Sequence, residues 1–551
     1  MTLTIFHYHL QPGGVTGVIA AAGPIALSSL DGVTRLRLVT GRRENADTVT
    51  ENLREASFGR VPVELKVYPE LDYLAEIPEG RRSGLSERIE TILGELSDPA
   101  ELWWVHNHHI GKNPAFTDAL LRWARRVPHQ RIVLQIHDFP ESGRYQNLAL
   151  VNRQVTEPLY PILENLRYVV LNRRDHGVLR AAGVPEDLLF ALPNPVHIAE
   201  APKTAGSTSD PAEIRRELAA VPGKASRRFA EEGHLAIYPV RCIRRKNVLE
   251  AALLTELAGR GTTPWNLVVT LPGTSDQERR YSQMVEDAFD AGLVAGRFSP
   301  GTKADIPFRS IMESADAVVS SSVQEGFGYT YLEAVATRHP LVARYIDVLS
   351  GVDEILRRFA VSFYHTVLVP FSTPSLSDMR PLLRLRYEER LEEVRPPLPP
   401  EIFAGLATDV DRLLSGDTID FSFLLPQMQY TILKDLENDS FAGELVRINT
   451  EALAGFRRPA VGATGNNGSA ATDAAGGAGS EPPDLAPLEA EFGYAVYGER
   501  LKKIVGSFED GRGRIRGPED DTTRRNQAAD ADSVLSHFAT IEYLRLLYEA
   551  I

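Results

Sequence analysis

The sequence has very little cysteine and no long apolar run. Cys242 is the only cysteine among 551 residues, which excludes a disulfide framework or an all-cysteine metal site within one chain and indicates a reducing compartment. Nowhere do about 18 apolar residues follow one another, as a membrane-spanning helix requires. The first residues, Met1 to Phe6, lack the basic and apolar regions of a signal peptide. These absences predict a soluble, cytoplasmic protein without a transmembrane segment.

Positive charge is also in deficit. Lysine and arginine number 60 against 74 acidic residues, which gives a net charge of −14. Proteins that grip nucleic-acid phosphates usually carry the opposite sign, so we expect no nucleic-acid partner. Hydrophobic residues make up 43% of the chain, and at about 150 residues per domain the length indicates two to four domains with cores of their own.

Short apolar runs alternate with longer amphipathic stretches through the first part of the chain. This alternation is typical of βαβ units with parallel sheets, and its two series predict an α/β protein with two doubly wound domains. Strands are predicted at 3–6, 36–39, 63–67, 102–105, 131–136 and 168–171, and in the second series at 235–240, 267–271, 317–321 and 341–343. Helices are predicted at 114–126, 247–258, 278–291 and 329–337.

The chain is predicted to divide into four parts. Residues 1–200 form an N-terminal Rossmann-like domain, and residues 230–460 form a second one with helical additions. Residues 461–484 are predicted to be a flexible linker, because they include six glycines and no aromatic residue, lysine or arginine. Residues 485–551 recover helical patterning and are expected to dock back on the main body.

Three segments carry candidate chemistry at predicted strand ends. Gly13 and Gly14 precede a helix, where glycine lets the backbone approach a phosphate, although a purely structural turn is as good an interpretation. Arg241 and Lys246 leave a strand of the second series, and an arginine fork with a lysine point charge suits a diphosphate. A basic loop without a ligand is the alternative there.

The segment from Ser320 to Ala336 is the most specific of the three. A strand is followed by Glu325 in a glycine-bearing turn and then by a helix that carries Glu333. Carboxylates accept hydrogen bonds from sugar hydroxyls, and turn amides donate to them. No third carboxylate or histidine stands at a suitable spacing nearby, so no metal site is predicted.

Together these motifs resemble the retaining GT-B glycosyltransferases of glycosyltransferase family 4. That family is marked by a glutamate, seven residues and a second glutamate, with Gly-Phe-Gly after the first, and Glu325 to Glu333 match this pattern. The glycine pair and the Arg-x4-Lys segment match in the same order, over roughly residues 1–370. The resemblance implies a GT-B fold of two Rossmann-like domains facing a cleft, to which this chain adds a helical C-terminal extension without a counterpart.

The resemblance implies donor-binding roles in the second domain. Glu325 is expected near the donor hexose, with the amides of Gly326, Phe327 and Gly328 contacting its hydroxyls. Glu333 is expected to hold the ribose hydroxyls.

The remaining matches concern the diphosphate and the hexose. Arg241 and Lys246 are expected to neutralise the diphosphate with help from the backbone at Gly13 and Gly14, so that neither a metal nor a cofactor is needed. His137, at a strand end of the first domain, matches the family's active-site histidine beside the donor sugar.

One departure concerns the end of the second-glutamate helix. The family usually has Gly-x-Pro there, whereas this chain has Arg338-His339-Pro340. The substitution replaces a helix-ending glycine, so it leaves the local backbone shape open without affecting the expected donor clamp.

His109 and Lys112 are the candidate acceptor residues. They lie in a loop with three histidines after a first-domain strand, and they suit an anionic acceptor such as a phosphorylated or carboxylated small molecule, or a sugar. A plain polar loop is an equal alternative, and zinc is disfavoured because the histidines crowd one loop. Residues 120–126 are basic and amphipathic, as in lipid-modifying members of the family, but an ordinary Rossmann helix is favoured over membrane contact.

The predicted function is the transfer of a hexose from a nucleotide-diphosphate sugar to an acceptor hydroxyl, by a retaining and metal-independent reaction. The alternatives are a catalytically silent GT-B module that binds a sugar nucleotide, a lipid-acceptor glycosyltransferase, and an epimerase or phosphorylase on the same fold. The sequence identifies neither the donor nor the acceptor, and it leaves open whether the C-terminal segment mediates an oligomer.

Overall fold

The protein folds into two compact units, seen in a computed structural model that describes residues 1–74, 79–198, 210–224, 227–304, 306–457, 484–510 and 527–546. Unit 1 comprises Met1–His197, Glu388–Val410 and Glu489–Leu544, and unit 2 comprises Ile198–Tyr387, Asp411–Leu488 and Arg545–Ile551. In the described residues, no helix combines the length and the apolar character needed to cross a membrane.

Unit 1 is built on a parallel sheet of seven strands with the order β3-β2-β1-β4-β5-β6-β7. Strands β4 and β6 are buried at every residue, as expected for strands covered on both faces. The strand order reverses between β1 and β4, which makes the carboxyl ends of these strands the place where doubly wound sheets bind ligands. The strands are β1 Thr2–Phe6, β2 Arg35–Thr40, β3 Val63–Val67, β4 Glu101–His106, β5 Arg131–Ile136, β6 Leu166–Val170 and β7 Leu189–Ala191.

Helices connect these strands and begin at recognisable sequence signals. The helix at Pro114–Arg126, for example, has proline in its first turn, and the Asn113 side chain accepts a hydrogen bond from the amide of Phe116 at 3.0 Å. The connecting helices are α1 Gly14–Ser29, α2 Ala46–Ala56, α3 Glu79–Leu96, α4 Pro114–Arg126, α5 Tyr145–Gln154 and α6 Arg173–Ala181.

Unit 2 has a second parallel sheet, of six strands in the order β10-β9-β8-β11-β12-β13. A two-stranded antiparallel ladder, β14-β15, accompanies it. The central strand β8 pairs with β11 through Ala236 opposite Ala317 and Ile237 opposite Val318. The strands are β8 His234–Arg241, β9 Trp265–Leu271, β10 Gly296–Phe298, β11 Ala317–Ser320, β12 Leu341–Arg344, β13 Val361–Tyr364, β14 Leu368–Pro370 and β15 Thr418–Asp420.

The helices of unit 2 include one with a complete capping box, in which Ser275 and Glu278 satisfy each other's backbone amides. Two long helices run through residues assigned to both units, α14 Pro374–Val394 and α15 Pro400–Ser415. The others are α7 Pro211–Ala220, α8 Val248–Ala258, α9 Asp276–Asp290, α10 Pro300–Lys303, α11 Phe308–Glu313, α12 Tyr329–Ala336, α13 Asp353–Leu356, α16 Pro426–Asp435, α17 Asp439–Ile448 and α18 Thr450–Leu453.

The helical C-terminal extension is present and packs within unit 1. It contains α19 Ala486–Phe492, α20 Tyr494–Asp510 and a helix at Ala531–Phe538. Helix α20 lies against α1, where Gly498 leaves room for the side chain of Ser29. Farther along, the amide of Ala529 donates to the carbonyl of Tyr160 at 2.9 Å. This part of the extension therefore contacts the connection from α5 to β6, in which Tyr160 lies.

The predicted α/β class with two doubly wound sheets is confirmed, and every predicted strand is present within two residues of its observed bounds. The prediction omitted β7, β10, β13, β14 and β15, which have only three or four residues each. Strands this short carry too little pattern to be distinguished from loops. The predicted linker 461–484 lies outside the described residues except at Asp484, and the predicted domain limits stay predictions.

Candidate functional site

Two loops of unit 2 carry the charged part of the candidate site. One follows β8 and contains Lys246, and the other follows β11 and contains Glu325. Because β8 and β11 are neighbouring parallel strands, their carboxyl ends bring both loops to one edge of the sheet. The two residues that the sequence predicted to serve the same donor do meet here.

Lys246, Arg245 and Glu325 form one ion-paired cluster. The ammonium of Lys246 bonds to Oε1 of Glu325, while Nη1 of Arg245 lies 3.0 Å from Oε2. The same guanidinium nitrogen donates to the carbonyl of Gln324 at 2.8 Å. The side chains of Lys246 and Glu325 are 13% and 10% exposed, so water screens this cluster only weakly.

The cluster keeps Glu325 ionised and crowds positive charge around it. Burial opposes ionisation of this carboxyl, but Lys246 and Arg245 lower the pKa of Glu325 to about 2. Burial lowers the pKa of Lys246; Glu325 opposes this effect, and the like charges of Arg245 and Arg241 reinforce it. The Lys246 ammonium thus lies in the field of one carboxylate and two other cations.

Tyr238 and two serines tie the two loops together. The buried hydroxyl of Tyr238 donates to the carbonyl of Lys246 at 2.8 Å and lies 2.9 Å from the hydroxyl of Ser322. Ser321 donates to the carbonyl of Asn247 at 2.9 Å. Because these bonds connect the end of β8 with the end of β11, they fix the separation between Lys246 and Glu325.

A buried charge network lies behind the Lys246 loop. Asn247, which has a left-handed φ of 52°, donates to Glu250 at 2.7 Å. Glu250 accepts from Nε and Nη2 of Arg344 at 2.9 and 2.7 Å, and the same arginine holds Asp420 at 2.9 Å. Each of these charged side chains is less than 8% exposed, so every charge is paired as buried charges must be. The network supports the backbone turn that follows Lys246.

Arg241 lies apart from the ion-paired cluster. Its guanidinium contacts the hydroxyl of Thr274 at 3.2 Å and the carboxylate of Glu278 at 3.4 Å, and its side chain is 41% exposed. The structure therefore gives the position beside Glu325 to Arg245 and leaves Arg241 at the rim. Cys242, which follows it, is buried, and burial raises the pKa of its thiol far above the ordinary value, so it is unsuited to act as a nucleophile.

The turn after Glu325 leads directly into helix α12. Gly328 caps the helix with φ 96°, a left-handed conformation that disfavours other residues. Phe327 is buried and Gly326 is half-buried. Glu333 is an exposed residue on the first turns of α12. Loss of hydration raises the pKa of its carboxyl, and the positive charge of Lys246 opposes this rise. It thus lies within the field of the same ammonium.

The chain leaves helix α12 through a left-handed residue. Arg338 adopts φ 61°, the conformation that a helix-ending glycine would favour. Arginine adopts this conformation at a cost of about 1 kcal/mol.

In unit 1 the glycine pair begins helix α1. Gly13 caps the helix with extended backbone, φ 177°, and Gly14 is its first residue. Both glycines are exposed, and a Cβ at Gly14 would meet nothing within 4 Å. The pair is therefore not required by packing within the chain, which leaves the helix N-terminus open to an approaching anion.

His137 directly follows β5 and forms a pair with a second histidine. Its Nε2 lies 2.8 Å from Nδ1 of His106, the last residue of β4. Both residues are buried, at 5% and 1% exposure, and burial lowers the pKa of His137 to about 4 against the opposing charge of Asp138. His137 is consequently neutral at neutral pH.

The two candidate acceptor residues have different surroundings. Lys112 is half-buried, and its ammonium lies 5.3 Å from the centre of the Tyr73 ring. Burial and the charge of Arg144 lower the Lys112 pKa, and within the described residues no carboxylate pairs with it. His109 is 0% exposed and packs against the rings of Tyr160 and Phe139. Lys112 is accessible to an anion in this state, and His109 is not.

Tyr160, which packs against His109, also contacts the buried carboxyl of Glu141. The hydroxyl of Tyr160 is 3.2 and 3.1 Å from the two carboxylate oxygens of Glu141. Burial raises the pKa of Glu141 to about 7. The hydrogen bond with Tyr160 lowers the pKa, but the tyrosine carries no charge and does not offset the effect of burial.

The basic residues of the helix predicted at 114–126 are in ion pairs. Arg122 and Arg126 both contact Glu90, at 2.7 and 2.6 Å, and Arg125 contacts Glu157 at 2.8 Å. Among the described residues, no group of three or more histidine, cysteine or acidic side chains has the arrangement to hold a metal.

Sequence reasoning missed several residues that build the site. Arg245 is adjacent to Lys246, and Ser321 and Ser322 precede Glu325, so these had a local signal in their position beside the motifs. Arg344 had none, since its partner Asp420 is 76 residues away along the chain.

Comparison with known proteins identifies a relative that covers most of the chain. A search against descriptions of protein families finds no match. Mannosylglucosyl-3-phosphoglycerate synthase from Petrotoga mobilis is 31% identical over 453 residues, which cover 82% of this chain and 83% of the relative.

Solved structures match with lower identity. Sucrose-phosphate synthase from Thermosynechococcus elongatus is 14% identical and covers 82% of this chain and 99% of its own, with a TM-score of 0.42. The N-terminal domain of a Candida albicans trehalose-6-phosphate phosphatase is 12% identical and covers 80% and 97%, with a TM-score of 0.43. Likeness at this level does not bear on activity. The sequence relative, however, extends over both units, and the chain therefore belongs to the family of GT-B glycosyltransferases that includes mannosylglucosyl-3-phosphoglycerate synthase.

Proposed function

We propose that this glycosyltransferase moves a hexose from a nucleotide-diphosphate sugar to a hydroxyl of a small anionic acceptor, with retention at the anomeric carbon and without a metal. The observation that carries the proposal is the ion-paired cluster of Lys246, Arg245 and Glu325 at the carboxyl edge of the unit 2 sheet. The diphosphate is assigned to Lys246 and Arg241, with Arg245 beside Lys246, and Glu325 and Glu333 are assigned to the hydroxyls of the hexose and the ribose.

The proposed reaction is a front-face displacement. The bond between the anomeric carbon and the diphosphate oxygen breaks, and the acceptor oxygen forms its bond on the same face. The acceptor proton passes to the departing diphosphate, so no protein base is required. Preorganised cations stabilise the negative charge that develops on the leaving group, a task that a metal ion serves in other enzymes.

An anionic acceptor is favoured by Lys112. Its ammonium is half-buried, lacks a carboxylate partner within the described residues and shares its surroundings with Arg144. A phosphate or carboxylate would supply the missing counter-charge. The name of the Petrotoga mobilis relative refers to a phosphoglycerate glycoside, so we infer an acceptor of that chemical class for this chain.

The test begins with donor binding and then measures transfer. A thermal-shift panel of UDP, GDP and ADP sugars should yield one nucleotide that stabilises the protein, and that donor is then combined with phosphorylated, carboxylated and neutral glycosides. We expect turnover with an anionic acceptor in the presence of EDTA and an unchanged anomeric configuration by proton NMR. Binding without transfer to any acceptor would favour a silent module, inversion would contradict the front-face reaction, and transfer only to lipid acceptors would contradict the acceptor assignment.

A further inference from the structure

The pair formed by His106 and His137 is unusual because two neutral imidazoles share one hydrogen bond. Nδ1 of His106 and Nε2 of His137 are 2.8 Å apart, and the rings are nearly stacked, with centroids 5.2 Å apart and planes inclined by 25°. A hydrogen bond of this length needs one proton between the two nitrogens and one lone pair to accept it. The proton therefore belongs to one of the two rings, and the choice fixes the tautomer of both.

The two arrangements differ at the ring nitrogen that lies outside the shared hydrogen bond, which carries either a proton or a lone pair. If His137 donates, its Nδ1 is a lone pair and Nε2 of His106 must carry an N–H. If His106 donates, its Nε2 is a lone pair and Nδ1 of His137 carries the N–H. A neutral imidazole has one donor and one acceptor nitrogen, so there is no third arrangement.

The surroundings of His106 distinguish between these arrangements. Its Nε2 is buried and has no hydrogen-bond partner among the described residues. An orphaned buried N–H is rarer and costlier than an orphaned lone pair. The ring of His7, whose centroid is 6.3 Å from that of His106, is also neutral, because burial and the charges of His9 and His137 lower its pKa to about 3. The lone pair thus belongs on Nε2 of His106 and the proton on its Nδ1.

We propose that His106 is a positioning residue that holds His137 in the tautomer protonated at Nδ1, so that His137 presents an N–H donor to a substrate oxygen. This assignment rests on the proposed function only for the identity of that oxygen. It makes His137 a hydrogen-bond donor that remains neutral, which agrees with a reaction in which the leaving diphosphate accepts the acceptor proton.

The rest of the local structure holds the pair in one geometry. Trp104 stacks on the ring of His106 at 5.3 Å, and its Nε1 donates to the side chain of Gln135 at 2.7 Å. At the other residue of the pair, Oδ1 of Asn107 accepts a hydrogen bond from the backbone amide of His137 at 2.7 Å. Trp104 thus packs against the ring of His106, and Asn107 holds the backbone of His137. Nδ1 of His137 makes no hydrogen bond within the described residues.

The tautomer is measured directly by NMR of the full chain labelled with ¹⁵N-histidine, without any substrate. In the wild type we expect His137, assigned with a His137→Gln sample, to show a pyrrole-type Nδ1 and a pyridine-type Nε2. His106→Leu should abolish this preference and move the proton of His137 toward Nε2. His108→Leu, which removes another buried histidine from the same loop, is the matched control and should leave the His137 tautomer unchanged. A wild-type His137 protonated at Nε2 would overturn the proposal.

Kinetics test whether the tautomer matters for transfer. His106→Asn places an amide donor near the position of Nδ1 and should keep kcat within a few-fold, whereas His106→Leu should lower kcat about tenfold to hundredfold with little change in the KM for the acceptor. In a His137→Ala background, His106→Leu should have no further effect. Equal losses in both backgrounds would mean that His106 only supports the fold. If no hexose transfer is found with any donor, the proposed function fails, and the NMR result alone decides this inference.

Discussion

Two buried glutamates, one in each unit, respond to burial in opposite ways. In unit 1 the pKa of Glu141 is raised to about 7, whereas in unit 2 the pKa of Glu325 is lowered to about 2. Burial raises both. Glu141 has the uncharged hydroxyl of Tyr160 as its main side-chain partner, and Glu325 has two cations that contact its two oxygens.

The basic residues of the two units differ in the same way as the two glutamates. In unit 1, burial lowers the pKa of His106 without any opposing charge, and it lowers the pKa of His137 in spite of Asp138, so both imidazoles are neutral. In unit 2, the ammonium of Lys246 has Glu325 at contact distance. Desolvation by itself neutralises a buried group, and only an opposite charge at contact distance keeps it ionised. The two units thus supply different chemistry: neutral hydrogen-bond donors and acceptors in unit 1, and fixed charge in unit 2.

The largest effect is expected when Arg344 is removed, because this takes from Glu250 and Asp420 the guanidinium that contacts both buried carboxylates. Arg344→Ala should lower the free energy of unfolding by about 3 to 5 kcal/mol, measured by chemical denaturation at pH 7. Arg357→Ala is the matched control, since its side chain is 54% exposed and lies 3.7 Å from Asp353; its loss should stay below about 1 kcal/mol. Similar losses in the two variants would contradict the argument that burial sets the cost.

Lys246→Ala should reduce transfer by roughly a hundredfold or more, because it removes a preorganised cation from the leaving group. It also leaves Glu325 with Arg245 as its remaining charged contact, so the pKa of Glu325 should rise toward that of Glu141. Steady-state kinetics and titration of the carboxyl by NMR measure the two effects. Lys434→Ala, at an exposed lysine of the same unit, is the control, and full activity in Lys246→Ala would exclude the diphosphate assignment.

Stability should depend on pH with opposite signs at the two glutamates. The folded pKa of Glu141, about 7 against an ordinary 4.5, means that the folded state binds more protons between these values. Stability therefore falls as the pH rises from 4.5 to 7, by up to about 3 kcal/mol, and Glu141→Gln should remove this decline.

For Glu325 the sign is reversed. Its folded pKa of about 2 contributes stability that is fully present above pH 4.5 and is lost as the pH falls toward 2. The upper bound is again about 3 kcal/mol, reduced by the burial cost of Lys246. Denaturation curves of Glu141→Gln and Glu325→Gln between pH 3 and 8 test the pair, and parallel profiles would contradict the comparison.

The smallest effect is expected at the acceptor. Lys112→Ala should raise the KM for a phosphorylated or carboxylated acceptor about tenfold, the scale of one charge-assisted hydrogen bond, with the KM for the donor unchanged. Lys502→Ala, at a lysine of unit 1 with 43% side-chain exposure, serves as the control. An unchanged acceptor KM in Lys112→Ala would remove Lys112 from the acceptor site and leave the donor assignments standing.

Much of the framework was predictable from local patterns. The run Arg131–Ile136 is mostly apolar and bounded by polar segments, and it appears as β5 with the predicted limits, buried from Ile132 onward. Lys246 and Glu325 were assigned to one donor through the resemblance to glycosyltransferase family 4, whose motifs they match in order. His109 illustrates the limit of this reasoning, because a histidine in a polar-looking loop is in fact covered by Tyr160 and Phe139.

The sequence by itself determined the alternation of strands and helices, the edge at which the motifs lie and the family to which the chain belongs. These features depend on periodicity and on residues close together in the chain. Tertiary structure alone decided that Arg245 contacts Glu325, that Arg344 supports the turn after Lys246, and that His106 faces His137. Such contacts join residues distant in sequence, and their electrostatic consequences depend on burial and on separations of about 3 Å, which no local pattern encodes.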